Sequence, residues 1–239
     1  MSRVCITGVS RGIGLEFAKY YLSRGWDVYG SVRNPDNDAV KKLAKKYKEN
    51  FTVFSMDVSD YDSVRRGAAE VRELTDHIDL LINNAGINAG PNAPTIREID
   101  HGKMKAAFDV NVMGPLYTVQ EFLPLLEAGD DSKVAMISSS AGSIGETTGG
   151  RMVPYCVSKS ALNMLTKLLY FRLSEAKIPI VALHPGWVKT DMGGENARLT
   201  PEESVKGMAA VIETLHLKGP LYQNYEGNPG YGSDSHGHG

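Results

Sequence analysis

The sequence predicts a single-domain α/β fold, a doubly wound parallel sheet with helices on both faces. Short apolar runs alternate with longer helix-periodic segments through the 239 residues, the β-α-β-α order that such sheets require. The runs are rich in Val, Ile and Leu with little strict alternation, as in parallel strands covered on both faces. No fixed-period repeat and no Pro/Ser-rich linker divides the chain.

Taken in order, the strand runs are 3–7, 27–32, 51–56, 80–82, 133–138, 180–183 and 221–222. Helical stretches fall between them at 13–24, 36–48, 61–74, 102–126, 153–175 and 201–216. The first helix should stop at Gly25, where a left-handed terminal residue is wanted, and the last should begin at Pro201 after Thr200. Over 40–49 five lysines accompany Val40, Leu43, Ala44 and Tyr47, which share one helical face. That run reads as a solvated helix surface. The folded domain is expected over 1–229, and 230–239, with four glycines and two histidines, reads as a flexible tail.

Composition narrows the function. Hydrophobic residues make up 42% and charged residues 23%, and 26 Lys+Arg against 28 Asp+Glu give a net charge of −2. No basic excess points to nucleic acid or a membrane surface. No apolar run approaches the length of a membrane span, and no signal peptide precedes the first motif. Two cysteines, Cys5 and Cys156, supply neither a disulfide framework nor a zinc site. A cytoplasmic soluble protein without metal is expected.

The first chemical motif is Thr7-Gly8-Val9-Ser10-Arg11-Gly12-Ile13-Gly14, between strand and helix. Gly8 permits a tight turn, Gly12 lets the backbone approach a pyrophosphate, and Gly14 lets the helix pack near the strand. Free N–H groups at the helix N-terminus face the phosphates. The sheet is therefore read as Rossmann-type, although the spacing is G-xxx-G-x-G. At the end of the second strand a carboxylate would select a ribose without a 2′-phosphate. Val32 and Arg33 stand there instead, and Arg33 with Arg11 offers two guanidinium groups to a dianionic phosphate. NADP is the expected cofactor.

Further on come Asn83-Asn84-Ala85-Gly86 after a strand, Asn111 in a long helix, Ser139 after another strand, then Tyr155 and Lys159. With the glycine turn, this order resembles the short-chain dehydrogenase/reductase family over residues 3–227. His184-Pro185-Gly186-Trp187-Val188-Lys189-Thr190-Asp191-Met192-Gly193-Gly194 resembles its carbonyl reductase branch that includes sniffer and the myxobacterial C-factor.

The resemblance implies that Tyr155 is the general acid, Lys159 its electrostatic partner and a ribose ligand, and Ser139 the donor to a substrate carbonyl. Ser138 and Ser140 compete for that last role, and Ser139 is preferred because Gly142 follows three residues later. Asn111 is implied to hold a water in a proton relay to Lys159. Cofactor contacts are implied for Gly8, Ser10, Arg11, Gly12, Ile13, Gly14, Arg33, Asp57, Val58, Asn84, Ala85, Gly86, Tyr155, Lys159, Pro185, Gly186, Val188 and Thr190. Of these, Asp57 and Val58 would meet the adenine, Ile13 the nicotinamide and Thr190 its carboxamide. His184 is assigned no catalytic role.

Elementary chemistry supports the central pair. Tyr155 and Lys159 are four apart on a predicted helix and share a face. Tyrosine ionises near pH 10, and a nearby ammonium together with oxidised nicotinamide should lower that value. Two departures from the family stand out. Ser139 and Tyr155 are 16 apart, which adds residues 145–151 at the mouth of the site, and 222–231 lacks the usual hydrophobic ending.

The expected activity is NADP(H)-dependent interconversion of a small carbonyl, whether ketone, aldehyde or quinone, and its alcohol. The rival reading is an NADP-binding signalling or regulatory protein of the C-factor type, and an interaction module has only the lysine-rich helix behind it. Trp187, Met192, Ile144, Met152 and Tyr222 suggest an apolar pocket, and 187–200, with Gly193 and Gly194, a closing lid. The long helices at 102–126 and 153–175 are candidates for a homodimer contact.

Overall fold

The computed structural model describes residues 2–88 and 95–230. Seven parallel strands form one sheet in the order β3-β2-β1-β4-β5-β6-β7. They are β1 (Arg3–Thr7), β2 (Asp27–Val32), β3 (Phe51–Ser55), β4 (Leu80–Asn83), β5 (Lys133–Ile137), β6 (Ile180–His184) and β7 (Tyr222–Asn224). The order reverses between β1 and β4, which opens a crevice at their C-terminal ends, the switch point where ligands of such sheets bind.

Successive strand residues explain the missing alternation. Val4, Ile6, Leu80, Ile82, Val181 and Leu183 pack on one side, against helices α1 (Gly12–Ser23), α2 (Asp38–Lys46) and α7 (Pro201–Glu213). Cys5, Leu81, Val134, Met136 and Ile180 pack on the other, against α3 (Tyr61–Leu74), α5 (Gly114–Glu127) and α6 (Val153–Leu173). Both faces are core, so both residue parities must be apolar.

Helix ends follow local chemistry. Gly25 has φ +78° and its N–H closes on Leu22, and Thr200 and Glu203 form a reciprocal capping box ahead of Pro201. Asn37, Asp60 and Asp100 accept first-turn N–H bonds for α2, α3 and α4 (His101–Phe108). The expected helix over 102–126 is not continuous. After α4 the chain widens into a π-helical turn, Asp109–Met113, before α5 begins. Pro115 is the physical reason: it has no N–H for the Asn111 carbonyl, and its ring crowds that oxygen. Asn111 therefore sits in a local distortion rather than a regular helix. Residues 231–239 of the expected tail, including His236 and His238, lie outside the described residues. No helix among the described residues is long and apolar enough to cross a membrane.

Candidate active site

A cleft of about 720 Å³ runs along the crevice from Arg33 and Asp57 past the glycine turn to Trp187 and Met192. Gly8 and Gly12 hold φ of +76° and +56°, a conformation glycine adopts without penalty. A Cβ on Gly14 would collide with the Gly8 carbonyl and the Asn84 amide, so α1 approaches β1 as only glycine allows. Arg11 precedes α1 without a capping side chain, and no acidic residue occupies the first turn. The turn thus presents backbone N–H groups and a positive helix end.

Asn84 has a structural task beside its place in the cleft. Its Nδ2 donates to the Thr7 and Gly8 carbonyls at 2.9 and 3.1 Å, while Thr7 Oγ1 accepts from the N–H groups of Asn84 and Ala85. These bonds stitch β4 to β1. Asp57 is a turn residue as well as a wall residue, because its Oδ1 accepts from Ser59 N and Oγ.

The two arginines differ. Arg33 lines the cleft, exposed, with no partner among the described residues. Arg11 Nη1 donates to Asp191 Oδ2 at 2.8 Å, and Thr190 packs on Gly12. Both expected guanidinium groups line the cleft, and Arg11 also ties the glycine turn to the 187–200 segment. Nothing local in the sequence signals this contact across 180 residues.

At the opposite end stand Ser139, Tyr155 and Lys159, with Ile87, Asn88, Ala141 and Met152 beside them. Ser139, leaving β5, caps the short turn Ser140–Gly142 by accepting from Ala141 N at 3.1 Å. Ser138 donates to Asn163 Oδ1 at 2.5 Å, so its hydroxyl is occupied behind the site. Burial pushes the Tyr155 hydroxyl's pKa up, while a hydrogen bond with Ser139 pulls it down. The net direction is upward; the lowering expected from Lys159 together with oxidised nicotinamide includes a cofactor charge that acts only when the cofactor is bound. Lys159 Nζ lies 5.7 Å from the Tyr155 ring centre and donates to the Ile137 carbonyl at 2.8 Å. Its burial lowers its own pKa to about 8, so its charge is itself disfavoured.

Asn111 is brought near but not into the cleft. Its Oδ1 accepts from Ile87 N, and its Nδ2 donates to Ile87 O and Ser158 Oγ, all at 2.8–2.9 Å. The fully buried amide binds the loop after β4 to α6. Tyr222 and Ile144, expected in the pocket wall, do not line the cleft, and neither does any residue of 145–151. Ile87, Asn88, Val110 and Asp191 line it without having been singled out. The first two directly follow Gly86, so extending that motif by two residues would have found them.

A short-chain dehydrogenase family model matches residues 2–199. The chain belongs to that family. This short-chain dehydrogenase is 36% identical to an NADPH-bound carbonyl reductase from chicken fatty liver, with a TM-score of 0.87 covering 96% of this chain and 98% of that one. It is 32% identical to the carbonyl reductase Sniffer of D. melanogaster, with a TM-score of 0.89, covering 96% and 99%. Over 142 residues it is 39% identical to the C-signal of Myxococcus xanthus, 59% of this chain and 84% of that protein. This short-chain dehydrogenase is an oxidoreductase of the carbonyl reductase type, in the branch of Sniffer and the C-signal.

Proposed function

We propose that this chain is an NADP(H)-dependent reductase of small carbonyl compounds, working in the reverse direction on the corresponding alcohols. The observation that carries the reading is one continuous cleft with a phosphate-accepting glycine turn at one end and Ser139, Tyr155 and Lys159 at the other. The collision that a Cβ on Gly14 would cause with the Gly8 carbonyl and the Asn84 amide supports the tight helix–strand packing that sets the N-terminus of α1 at the cleft. Arg33, exposed and unpaired beside Val32, is the residue for a 2′-phosphate. The chicken relative, which carries NADPH, supports the same choice.

When bound, NADPH supplies the hydride. Ser139 would hold the carbonyl oxygen and stabilise its developing charge. Tyr155, kept protonated by burial, would give its phenolic proton to that oxygen. Lys159, anchored on Ile137, would hold the ribose and set the field around the phenol. Asn111 would serve the proton relay through its backbone carbonyl, which Pro115 cannot bond, because its side-chain amide is occupied. Ile87, Met152, Trp187 and Met192 make the substrate end largely apolar.

Two subsidiary points belong to this reading. Two free thiols, Cys5 and Cys156, fit a reducing cytoplasm. Val157, Met164, Leu168 and Phe171 form one exposed stripe on α6, a face for a second copy of the chain. The test of function is NADPH consumption over a panel of ketones, aldehydes and quinones. A protein that binds NADPH but turns over none of them would favour the regulatory reading, for which the C-signal likeness is the supporting observation.

A further inference from the structure

Ser139 stands on a loop, outside the ladder of β5, so something other than the sheet must fix it. Its carbonyl accepts from Gly142 N at 3.0 Å, a bond internal to the Ser140–Gly142 turn. Such a bond moves with the turn and cannot anchor it. The second partner of the same carbonyl is the Tyr222 hydroxyl, which donates at 2.6 Å from β7. This contact ties the turn to the far edge of the sheet.

Tyr222 is itself braced. Its side chain is 8% exposed, and Gly230 crosses it so closely that a Cβ there would overlap the ring. Gly230 N returns a hydrogen bond to the Tyr222 carbonyl at 2.8 Å. Asn163 of α6 lies close enough to the same hydroxyl to lower its pKa against the effect of burial. Asn163 in turn takes the Ser138 hydroxyl and reaches the Gly142 carbonyl at 3.4 Å, where Ser160 Oγ also donates at 2.9 Å. Neither Tyr222 nor Asn163 lines the cleft. The pair grips 138–142 from behind.

We propose that Tyr222 is a positioning residue whose hydroxyl, braced by Asn163 and Gly230, fixes the Ser139 peptide so that the Ser139 hydroxyl meets Tyr155 and the substrate carbonyl. The proposal rests on the reductase reading above. Its physical basis is the sensitivity of oriented catalysis to position, where a displacement of about 1 Å can cost about 10²-fold. Tyr222→Phe keeps the ring and its packing and removes only the outer anchor.

The test combines Tyr222→Phe, Ser139→Ala and the double variant with steady-state kinetics and amide hydrogen exchange. In Tyr222→Phe, kcat should fall roughly tenfold with the NADPH Kd unchanged, and the amides of 141–143 should exchange faster while the rest of the sheet does not. In the Ser139→Ala background the same change should cost less than about twofold, because coupled residues are non-additive. Gly230→Ala, which displaces the ring but keeps the hydroxyl, should act in the same direction, and it replaces Tyr222→Phe should that variant not fold. Wild-type exchange at 141–143, or an equal kcat loss without Ser139, would overturn the inference whatever the activity. A wild type that reduces no carbonyl would overturn the functional reading, and the exchange measurement would still decide the positioning role.

Discussion

Tyr155 and Lys159 share a buried corner where each charged form is disfavoured, and the consequences can be measured separately. Removing the phenolic proton forfeits general acid catalysis, commonly about 10²–10⁴-fold. Tyr155→Phe should lose turnover by at least about 10²-fold with NADPH binding intact, and near-wild-type turnover would end the proposed mechanism. For Lys159 the sign follows from a folded pKa of about 8 against an ordinary 10.5. Below pH 8 the lysine is charged in both states, and the desolvation cost is fully present. Between the two values the unfolded chain binds more protons than the folded one, so stability rises with pH. The wild type should therefore gain on Lys159→Met, by up to about 3 kcal/mol between pH 7 and 10.5. Urea unfolding of the cofactor-free proteins reads this, and a constant difference across that range contradicts it.

Arg33 and Arg11 carry the cofactor prediction at the same scale. A charge-assisted hydrogen bond is worth about 1.5–3 kcal/mol, roughly tenfold or more in affinity. Arg33→Ala should lower the NADPH-over-NADH ratio of kcat/KM by about that factor, whereas Arg11→Ala should lower it less because Asp191 already engages that guanidinium. Equal effects of the two substitutions would refute the distinction.

Among the elements, the 187–200 segment departs most from a simple hinged lid. Trp187 Nε1 donates to the Gly193 carbonyl at 2.7 Å, Gly193 N donates to Thr190 Oγ1 at 3.1 Å, and Val188 bridges Leu199. A Cβ on Gly193 would collide with the Val188 carbonyl, whereas Gly194, at φ +76°, faces open space. Gly193→Ala should therefore disrupt the segment and raise the carbonyl KM severalfold, while Gly194→Ala should cost only about 1 kcal/mol of stability for its backbone angle. Kinetics and thermal melts of the two single variants discriminate them, and indistinguishable variants would contradict the assignment. The π-helical turn at 109–113 follows the same logic. Pro115 distorts the ladder, and the distortion presents Asn111 to Ile87 and Ser158.

For the whole molecule, the sheet brings residues from both halves of the chain to one edge. Gly8 and Gly14 come from the first βα unit, Ser139 from the fifth strand, and Thr190 from beyond the sixth. Outside that edge, the apolar stripe on α6 is exposed over Val157, Met164, Leu168 and Phe171, whose spacings of seven, four and three keep them on one face. If a second copy covers it, Leu168→Glu should convert a dimer to a monomer in sedimentation with little loss of fold. A wild type already monomeric at high concentration removes the homodimer from the reading.

The sequence by itself determined the doubly wound sheet, the glycine turn and the family, because each is written in local pattern. Buried parallel strands require apolar residues at both parities, and tight turns require glycine at fixed offsets. It also placed Tyr155 and Lys159 one helical turn apart, because that spacing belongs to the backbone. Only the tertiary structure decided that Arg11 pairs with Asp191, that Tyr222 stands behind Ser139 rather than in the pocket wall, and that 145–151 stays out of the cleft. It also decided that burial raises the Tyr155 pKa, since desolvation depends on everything packed around a group and not on its neighbours in the chain. Contacts between residues tens to hundreds of positions apart leave no periodic or spacing signature, and they exist only once the chain has folded.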